Sequence, residues 1–319
     1  MACLHLFLDI KILNAFKMGG FGMAKLAIEH IKGNTYMISS PANIGIYVQD
    51  DNAILIDSGN DKESGRQILR LIEEKGWKLR LIVNTHSNAD HIGGNAFLQD
   101  RTGCDIAATA LEAAFIANPV LEPAFLFGGY PDKEMRNKFL MAKPSRVTHI
   151  ISSEGDILDT QLKALGLPGH YMDMIGVITP DGVAFLADSL FSKEILQKYH
   201  LTYLYDIKAQ LETLSSLRSL SADIYVPSHA NQCNDIGPLI DANESKIKEI
   251  AQVIFELCSS PSTLDDVLIG LCEKYGIAMN ATQYLLLSNT VKSYLSYLKT
   301  EGRVAYEFSS GRMIWEKQL

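Results

Sequence analysis

Along the first two thirds of the chain, short apolar runs alternate with segments of helical spacing. TYMIS and IGIYVQ, joined through Pro41, predict the two arms of a hairpin, and NAILIDSG predicts a buried strand ending in Asp57, Ser58 and Gly59. Residues 61–76 (DKESGRQILRLIEEKG) carry their apolar positions at helical spacing, with Gly76 as the stop signal. LRLIVNT predicts a second buried strand, GGNAFLQDRTG a short helix, CDIAAT a strand and ALEAAFIAN another helix. Periodicity then breaks between Pro119 and Pro144, in a stretch rich in Pro, Gly, aromatics and Met. Such irregular insertions in compact domains serve as lids or binding loops, or as packed linkers.

Strand signals return in LKALGLPGH, IGVITPDGVAFLADS and ADIYVPSHA, with a tight turn at Pro180–Gly182 and an amphipathic helix in DIKAQLETLSSLRSL. From Asp235 the pattern turns helical: IGPLIDANESKIKEIAQVIFELCSS, STLDDVLIGLCEKYG, NATQYLLLSN and TVKSYLSYLKTEG, closing with a hairpin across SSG in RVAYEFSSGRMIWEKQ. Three short helices followed by a hairpin is the order of a winged helix. A boundary near residue 240 divides a domain over 23–240 from a helical linker and winged-helix-like domain over 241–319.

Composition changes the picture little. The 319 residues are 47% hydrophobic and 21% charged, as in a globular protein able to bury a full core. A net charge of −8 argues against a broad nucleic-acid-binding surface. No apolar run reaches the roughly 20 residues that span a membrane. The five cysteines, Cys3, Cys104, Cys233, Cys258 and Cys272, are scattered and form no CxxC pair, which suits free thiols in a reducing cytoplasm. Residues 1–22 lack a basic n-region and a small-residue cleavage site. They read as an upstream extension ahead of Met23, or as a short amphipathic segment docked on the domain.

Four of the eight histidines share one context, each ending a β-like run and opening a loop: His86 and His91 after LRLIVNT, His170 after LGLPG, His229 after IYVPS. Asp57 and Asp188 do the same after AILI and VAFLA. Strand-end loops on a rigid scaffold are where sites are built, so these six metal-competent side chains can converge on one rim of a sheet. His5, His30, His149 and His200 lack this context and read as surface or packing residues.

The stretch THSNADH resembles the signature T-H-x-H-x-D-H of the metallo-β-lactamase-fold hydrolases, with His86, Asp90 and His91 on matching positions. LPGH matches the second motif through His170, LADS the third through Asp188, PSHA the last through His229, and LIDSG the short motif containing Asp57. The resemblance covers about residues 33–232 and extends to the glyoxalase II-like hydrolases. It implies an α/β fold, a four-layer αββα sandwich with metals at the strand-end edge, and one or two divalent cations per chain, zinc first, with manganese or iron as alternatives. Carried over, one metal site comprises His86, Asn88, His170 and Asp188, and the other Asp90, His91, His229 and Asp188. Asp188 bridges the two, Asp57 organises the loop, and Asp90 orients the nucleophile or passes on its proton. The departure is Asn88, which stands where the family has a histidine. A neutral amide oxygen is a poorer zinc ligand than an imidazole, so the first site is weakened.

A divalent metal lowers the pKa of bound water to roughly 7, so the implied activity is hydrolysis of an ester, thioester, lactone or phosphodiester. The alternatives are a mononuclear iron persulfide dioxygenase using His86, His170 and Asp188, or a binding protein that has lost turnover. Carbonyls or carboxylates are expected to hold the outer nitrogen of each ligating histidine. Tyr130 and Tyr171, with Met172 and Met174, are candidates for the substrate pocket or for core packing. Gly93 and Gly94 let the helix after the signature start close to the metals. Cys233 reads as a small buried apolar residue.

From Ser262 onward six acidic and six basic residues balance, without the basic stripe a nucleic-acid module carries. Homodimerisation, or covering the active-site mouth, is the preferred role for this module, with RNA binding as the alternative, and Trp315 closes its core or a pocket wall. A small-molecule substrate and no membrane association complete the expectations.

Overall fold

The β-branched runs of the first half form one sheet and those of the middle form a second. The computed structural model describes residues 26–318. The extension over 1–22, with Cys3, His5 and Met18, lies outside the described residues, as does Met23. The first sheet runs in the order β1 (Ile28–Lys32), β2 (Thr35–Ile38), β3 (Ile44–Gln49), β4 (Asn52–Ile56), β5 (Lys78–Val83), β6 (Asp105–Ala108) and β7 (His149–Ile150). Its first four strands are antiparallel neighbours, whereas β4 to β7 pair in parallel. The second sheet is ordered β12 (Ile224–Val226), β11 (Val183–Phe185), β10 (Ile175–Ile178), β9 (Lys163–Gly166) and β8 (Gly155–Asp156). Only its β11–β12 pair is parallel.

The two sheets face each other across a core to which Met37, Tyr47, Ile54, Ile56 and Val83 contribute from one side and Ala164, Ile175, Val177, Phe185 and Val226 from the other. The outer face of the first sheet is covered by α1 (Lys62–Glu74) and α3 (Asn95–Thr102), through Ile68, Ile72 and Leu98 against Ile46, Leu55 and Ile82. That of the second is covered by α7 (Ile207–Leu217) and α8 (Gly237–Leu257), through Leu214, Leu217, Ile240 and Ile247. The result is the four-layer αββα sandwich, with helices α2 (Ala89–Ile92), α4 (Ala110–Ala117), α5 (Leu121–Phe127) and α6 (Lys193–Tyr199) set in the connections.

Helix ends follow the local chemistry. Asp61 caps α1, its carboxylate accepting from the amides of Glu63 and Ser64 at 3.0 and 2.9 Å. Gly76 follows the helix with φ +76°, the left-handed conformation that makes it a stop.

Two expectations change. The segment between Pro119 and Pro144 opens as a helix, α5, because Pro123 falls in its first turn, where a missing amide hydrogen costs nothing. The two helices expected from NATQYLLLSN and TVKSYLSYLKTEG are one continuous helix, α10 (Ala281–Thr300). Ser288 and Thr290, the apparent break between them, are buried, and their hydroxyls donate to the carbonyls of Leu285 and Leu286. After α8 the chain therefore forms α9 (Leu264–Tyr275), α10 and a hairpin of β13 (Val304–Ser309) and β14 (Arg312–Lys317). Position 240 falls inside α8, whose Ile240, Ile247 and Ile254 share one core with Leu186 and Leu190 of the sandwich and Val291 and Leu295 of α10. Trp315 is buried in that core. No single helix among the described residues is long and apolar enough to cross a membrane.

Candidate metal centre

Strands that run in the same direction end at the same edge, and the loops leaving those ends carry the chemistry. Asp57 follows β4, the His86–His91 segment follows β5, His170 follows β9, Asp188 follows β11 and His229 follows β12. The structure brings the four histidines and three aspartates to one place. His91 Nε2 lies 3.0 Å from Asp188 Oδ1, and His229 Nε2 lies 3.0 Å from Asp188 Oδ2. His170 Nε2 is 3.6 Å from Asp188 Oδ2, and Asp90 Oδ2 is 3.6 Å from His229 Nε2. The imidazoles of His86 and His91 have centroids 4.0 Å apart. Donor atoms of His86, His91 and Asp188, and likewise of Asp90, His91 and His229, lie within 4.8 Å of one another. These groupings cut across the expected division, since His91 contributes to both.

Each imidazole is held by its outer nitrogen. Nδ1 of His86 meets the Thr85 hydroxyl at 3.0 Å and that of His91 the Asp57 carboxylate at 2.7 Å. Nδ1 of His170 donates to the Tyr203 carbonyl at 2.9 Å, and that of His229 to the Pro41 carbonyl at 2.8 Å. With Nδ1 carrying the hydrogen in these bonds, each ring in its neutral form turns an Nε2 lone pair inward, the tautomer that can ligate a cation. Nε2 of His86 is buried without a hydrogen-bond partner, and His91 Nε2 and Asp188 Oδ1, likewise buried, face each other at 3.0 Å without hydrogen-bond geometry. Orphaned buried polar atoms are rare and call for an explanation, and a divalent cation among them supplies one. The donor set, imidazole nitrogens and carboxylate oxygens, is one that zinc accepts. The residues present fit the ion.

Asn88 joins this set. Its Oδ1 lies 2.9 Å from His170 Nε2, and its Nδ2 donates to Glu122 Oε1 at 2.8 Å. The amide thus presents oxygen, not nitrogen, to the cluster. Glu122 is buried, and burial pushes its carboxyl well above the usual range. A second buried acid, Glu112, accepts the amides of Ser87 at 2.9 Å and Asp173 at 3.1 Å, and so straps the His86 loop to the His170 loop. Burial raises its pKa to about 7 against the lowering effect of those bonds. Sequence reasoning missed both glutamates. The available signal was an ionisable residue inside an apolar helical run, ALEAAFIAN and LEPAFLF, where a buried carboxyl must find donors.

Charge is distributed unevenly. Burial favours neutral His86 and His170 and lowers both. Burial also opposes protonation of His91 and His229, but the Asp188 carboxylate, helped by Asp57 at His91 and by Asp90 at both, outweighs it. His91 is raised well above its usual value and His229 to about 9. Positive charge is thus favoured at the Asp90–His91–His229 end, where protons stand in for a cation.

The loops are fitted closely. A Cβ on Gly93 would sit 2.2 Å from the Asn60 carbonyl carbon, and one on Gly94 2.3 Å from the Ser58 carbonyl oxygen, so only glycine lets the signature pack on the loop after β4. Asp57 itself has φ +65°, and its carboxylate accepts from the Thr85 amide at 2.8 Å and hydroxyl at 2.7 Å. A cleft of about 640 Å³ opens on His229, lined by Ser39, Ser40, Asn43, Ser192 and Gln232 among others.

Tyr130 does not sit in a pocket at these residues. It is 76% exposed, and its hydroxyl accepts from Arg136, because the GGYP turn throws the ring into solvent. Tyr171 is fully buried beneath the cluster, its ring centroid 6.1 Å from that of His86, so it supports the site from the core. Met174 is buried in the same core. Among the remaining histidines, His30 bonds to the Gly33 carbonyl, His149 lies near Asp105 and His200 stacks on Tyr275. Cys233 is a half-buried free thiol packed against the core.

The chain belongs to the metallo-beta-lactamase superfamily, whose family model matches residues 39–229. It is a metallo-hydrolase of that superfamily. Similar curated proteins include the hydroxyacylglutathione hydrolase of Bradyrhizobium sp. (strain ORS 278), 27% identical over 218 residues, covering 66% of this chain and 74% of that one. The enzyme of the same name from Nitrobacter hamburgensis is 26% identical over 243 residues, covering 75% and 83%. Among solved structures, a beta-lactamase domain protein from Burkholderia ambifaria superposes with a TM-score of 0.72 at 14% identity, covering 95% of this chain and 96% of that one. A metallo-beta-lactamase family protein from Thermus thermophilus gives 0.68 at 16%, covering 89% and 99%. These two share the fold with this chain along nearly its whole length.

Proposed function

We propose that the protein hydrolyses a carboxylic thioester or ester with two divalent cations, zinc first, held by His86, Asn88, His170 and Asp188 and by Asp90, His91, His229 and Asp188. The observation that carries this reading is the set of four imidazoles whose outer nitrogens are clamped while the inner ones converge on Asp188. The hydroxyacylglutathione hydrolases it resembles favour a thioester among the candidate substrates. When bound, the cations lower the pKa of water toward about 7 and polarise the substrate carbonyl. The protein's part is to hold and to aim. Asp188 lies against candidate ligands of both sites and would contribute to each. Asp90, whose side chain is 43% exposed, reaches solvent and can take a proton from incoming water. Asp57 and Thr85 lock the His91 and His86 rings, and the cleft beside His229 admits a polar substrate.

Retention of Asp90, His91 and His229 around one point favours the binuclear hydrolase over an iron dioxygenase, which has no use for them. The test pairs elemental analysis with a panel of acyl thioesters and aryl esters. Two equivalents of zinc or manganese with thioester turnover are expected. One equivalent of iron, with oxygen uptake on persulfides, overturns the reading.

A further inference from the structure

The loop after β4, the start of α1, helix α3 and the segment over 136–143 enclose a cleft of about 580 Å³ that none of the candidate ligands lines. Five cations line it, Lys62, Arg101, Arg136, Lys138 and Lys143, against two carboxylates, Asp61 and Asp100. Asp61 is committed to capping α1. No carboxylate among the described residues lies within 4.0 Å of any of the five charges, although Arg66 just beside them is paired with Glu63. In a chain of net charge −8, this gathering of unpaired positive charge in a concavity is a local inversion of the protein's sign. Clefts lined by one sign focus the field and concentrate the opposite ion.

Most of the five lining cations, and Arg66 beside them, also stand against aromatic rings. Lys62, Arg66 and Arg101 stand 5.9, 5.8 and 5.6 Å from the centroid of the Phe97 ring, and Arg136 stands 5.2 Å from that of Tyr130. The negative ring faces offset part of the mutual repulsion and keep the charged groups together before any ligand arrives. Arg136 is further fixed by donating to the Tyr130 hydroxyl at 3.0 Å. A set of guanidinium and ammonium groups in a space of this size matches a compact polyanion, and phosphate oxygens suit the guanidinium fork.

We infer that this cleft binds a ligand bearing a di- or triphosphate group. Its floor includes Asn60, three residues after Asp57, and Gly93, two residues after His91, while its far wall is the insertion over 136–143. Binding therefore ties the insertion to the loops that carry the metal ligands. The inference stands on the cleft alone and does not depend on the thioester reading.

The probe is inorganic triphosphate, titrated calorimetrically into the full-length, metal-loaded protein, with ADP and ATP as parallel arms. Saturable one-site binding that weakens with added salt is expected. A Lys62→Gln, Arg101→Gln, Lys138→Gln variant should lose at least about tenfold in affinity, with metal content and melting temperature unchanged. Tight binding of triphosphate alone assigns an inorganic or simple polyphosphate source, and equal or tighter binding of ADP or ATP assigns a nucleotide; either supports the inference. Absence of saturable binding overturns it. So does binding that survives in the triple variant but is lost in Asp188→Ala, which would put the phosphate on the metals.

Discussion

Glu122 turns the side chain of Asn88. Its carboxyl accepts from the Asn88 Nδ2, and that single bond decides that the amide oxygen faces His170. A ligand that is half donor and half acceptor is useful to a cation in only one of its two orientations. Replacing Glu122 with Ala should let the amide turn over and weaken binding of the cation proposed between Asn88 and His170 by about 10–100-fold, as losses among groups that orient ligands generally do. Glu122→Gln, which keeps an oxygen for Asn88, should retain most of the affinity. Metal titration followed by elemental analysis reads both, and equal affinities in Glu122→Ala and the parent would detach Glu122 from this role.

Asn88→His should tighten the same cation by at least about tenfold, because an imidazole nitrogen is the better partner for zinc. An unchanged second equivalent would mean that Asn88 does not ligate.

Asp188→Ala should lose both cations and activity together, since its carboxylate faces His91, His229 and His170, candidate ligands of both proposed sites. A metallated and active variant would remove it from the bridging position.

Asp57→Asn is a subtler change. An amide NH2 against His91 Nδ1 forces the ring hydrogen onto Nε2, the atom that faces Asp188. Metal affinity at that end should drop by about 10–100-fold while the fold survives. Ring-nitrogen NMR shifts would report the tautomer directly, and an unchanged spectrum would contradict the argument.

Glu112 sets a pH dependence. Its carboxyl titrates near 4.5 when unfolded and about 7 in the folded protein. The folded state therefore holds the proton more tightly, so this contribution to stability is full below about pH 4.5 and is lost as pH rises through 7. Comparing melting temperatures of the parent and Glu112→Gln from pH 5 to pH 8 isolates it: the difference should narrow as pH rises. A constant difference would show that Glu112 titrates normally.

The candidate ligands were legible because strand-end position and residue type are both local properties of the sequence. His86, His91, His170, Asp188 and His229 each announce themselves within a few residues. The glutamates that serve them were not, because Glu122 reaches Asn88 across 34 residues and Glu112 reaches Asp173 across 61, contacts only the folded connections create. The continuity of α10 was hidden for the opposite reason: Ser288 and Thr290 look like a break until their hydroxyls are seen bonded to the helix's own backbone. Tyr130 misled because an aromatic in a turn carries no sign of which way it points. The basic cleft escaped because its five cations come from three separate segments.

The carbonyl that steers His170 belongs to Tyr203, and the residues beside Tyr203 lean on α10. The Ser293 hydroxyl donates to the Tyr205 carbonyl at 2.7 Å, and the Leu204 amide donates to Thr290 Oγ1 at 3.4 Å. Nearer the start of α10, Leu285 packs with Leu126 of α5, the helix that carries Glu122, and Asn137 donates to the Thr282 hydroxyl. One helix from beyond residue 240 thus backs the supports of two opposing ligands, much as a keystone bears on both halves of an arch. A substitution along α10 is therefore expected to shift metal affinity without altering a candidate ligand, which metal titration of such a variant would read.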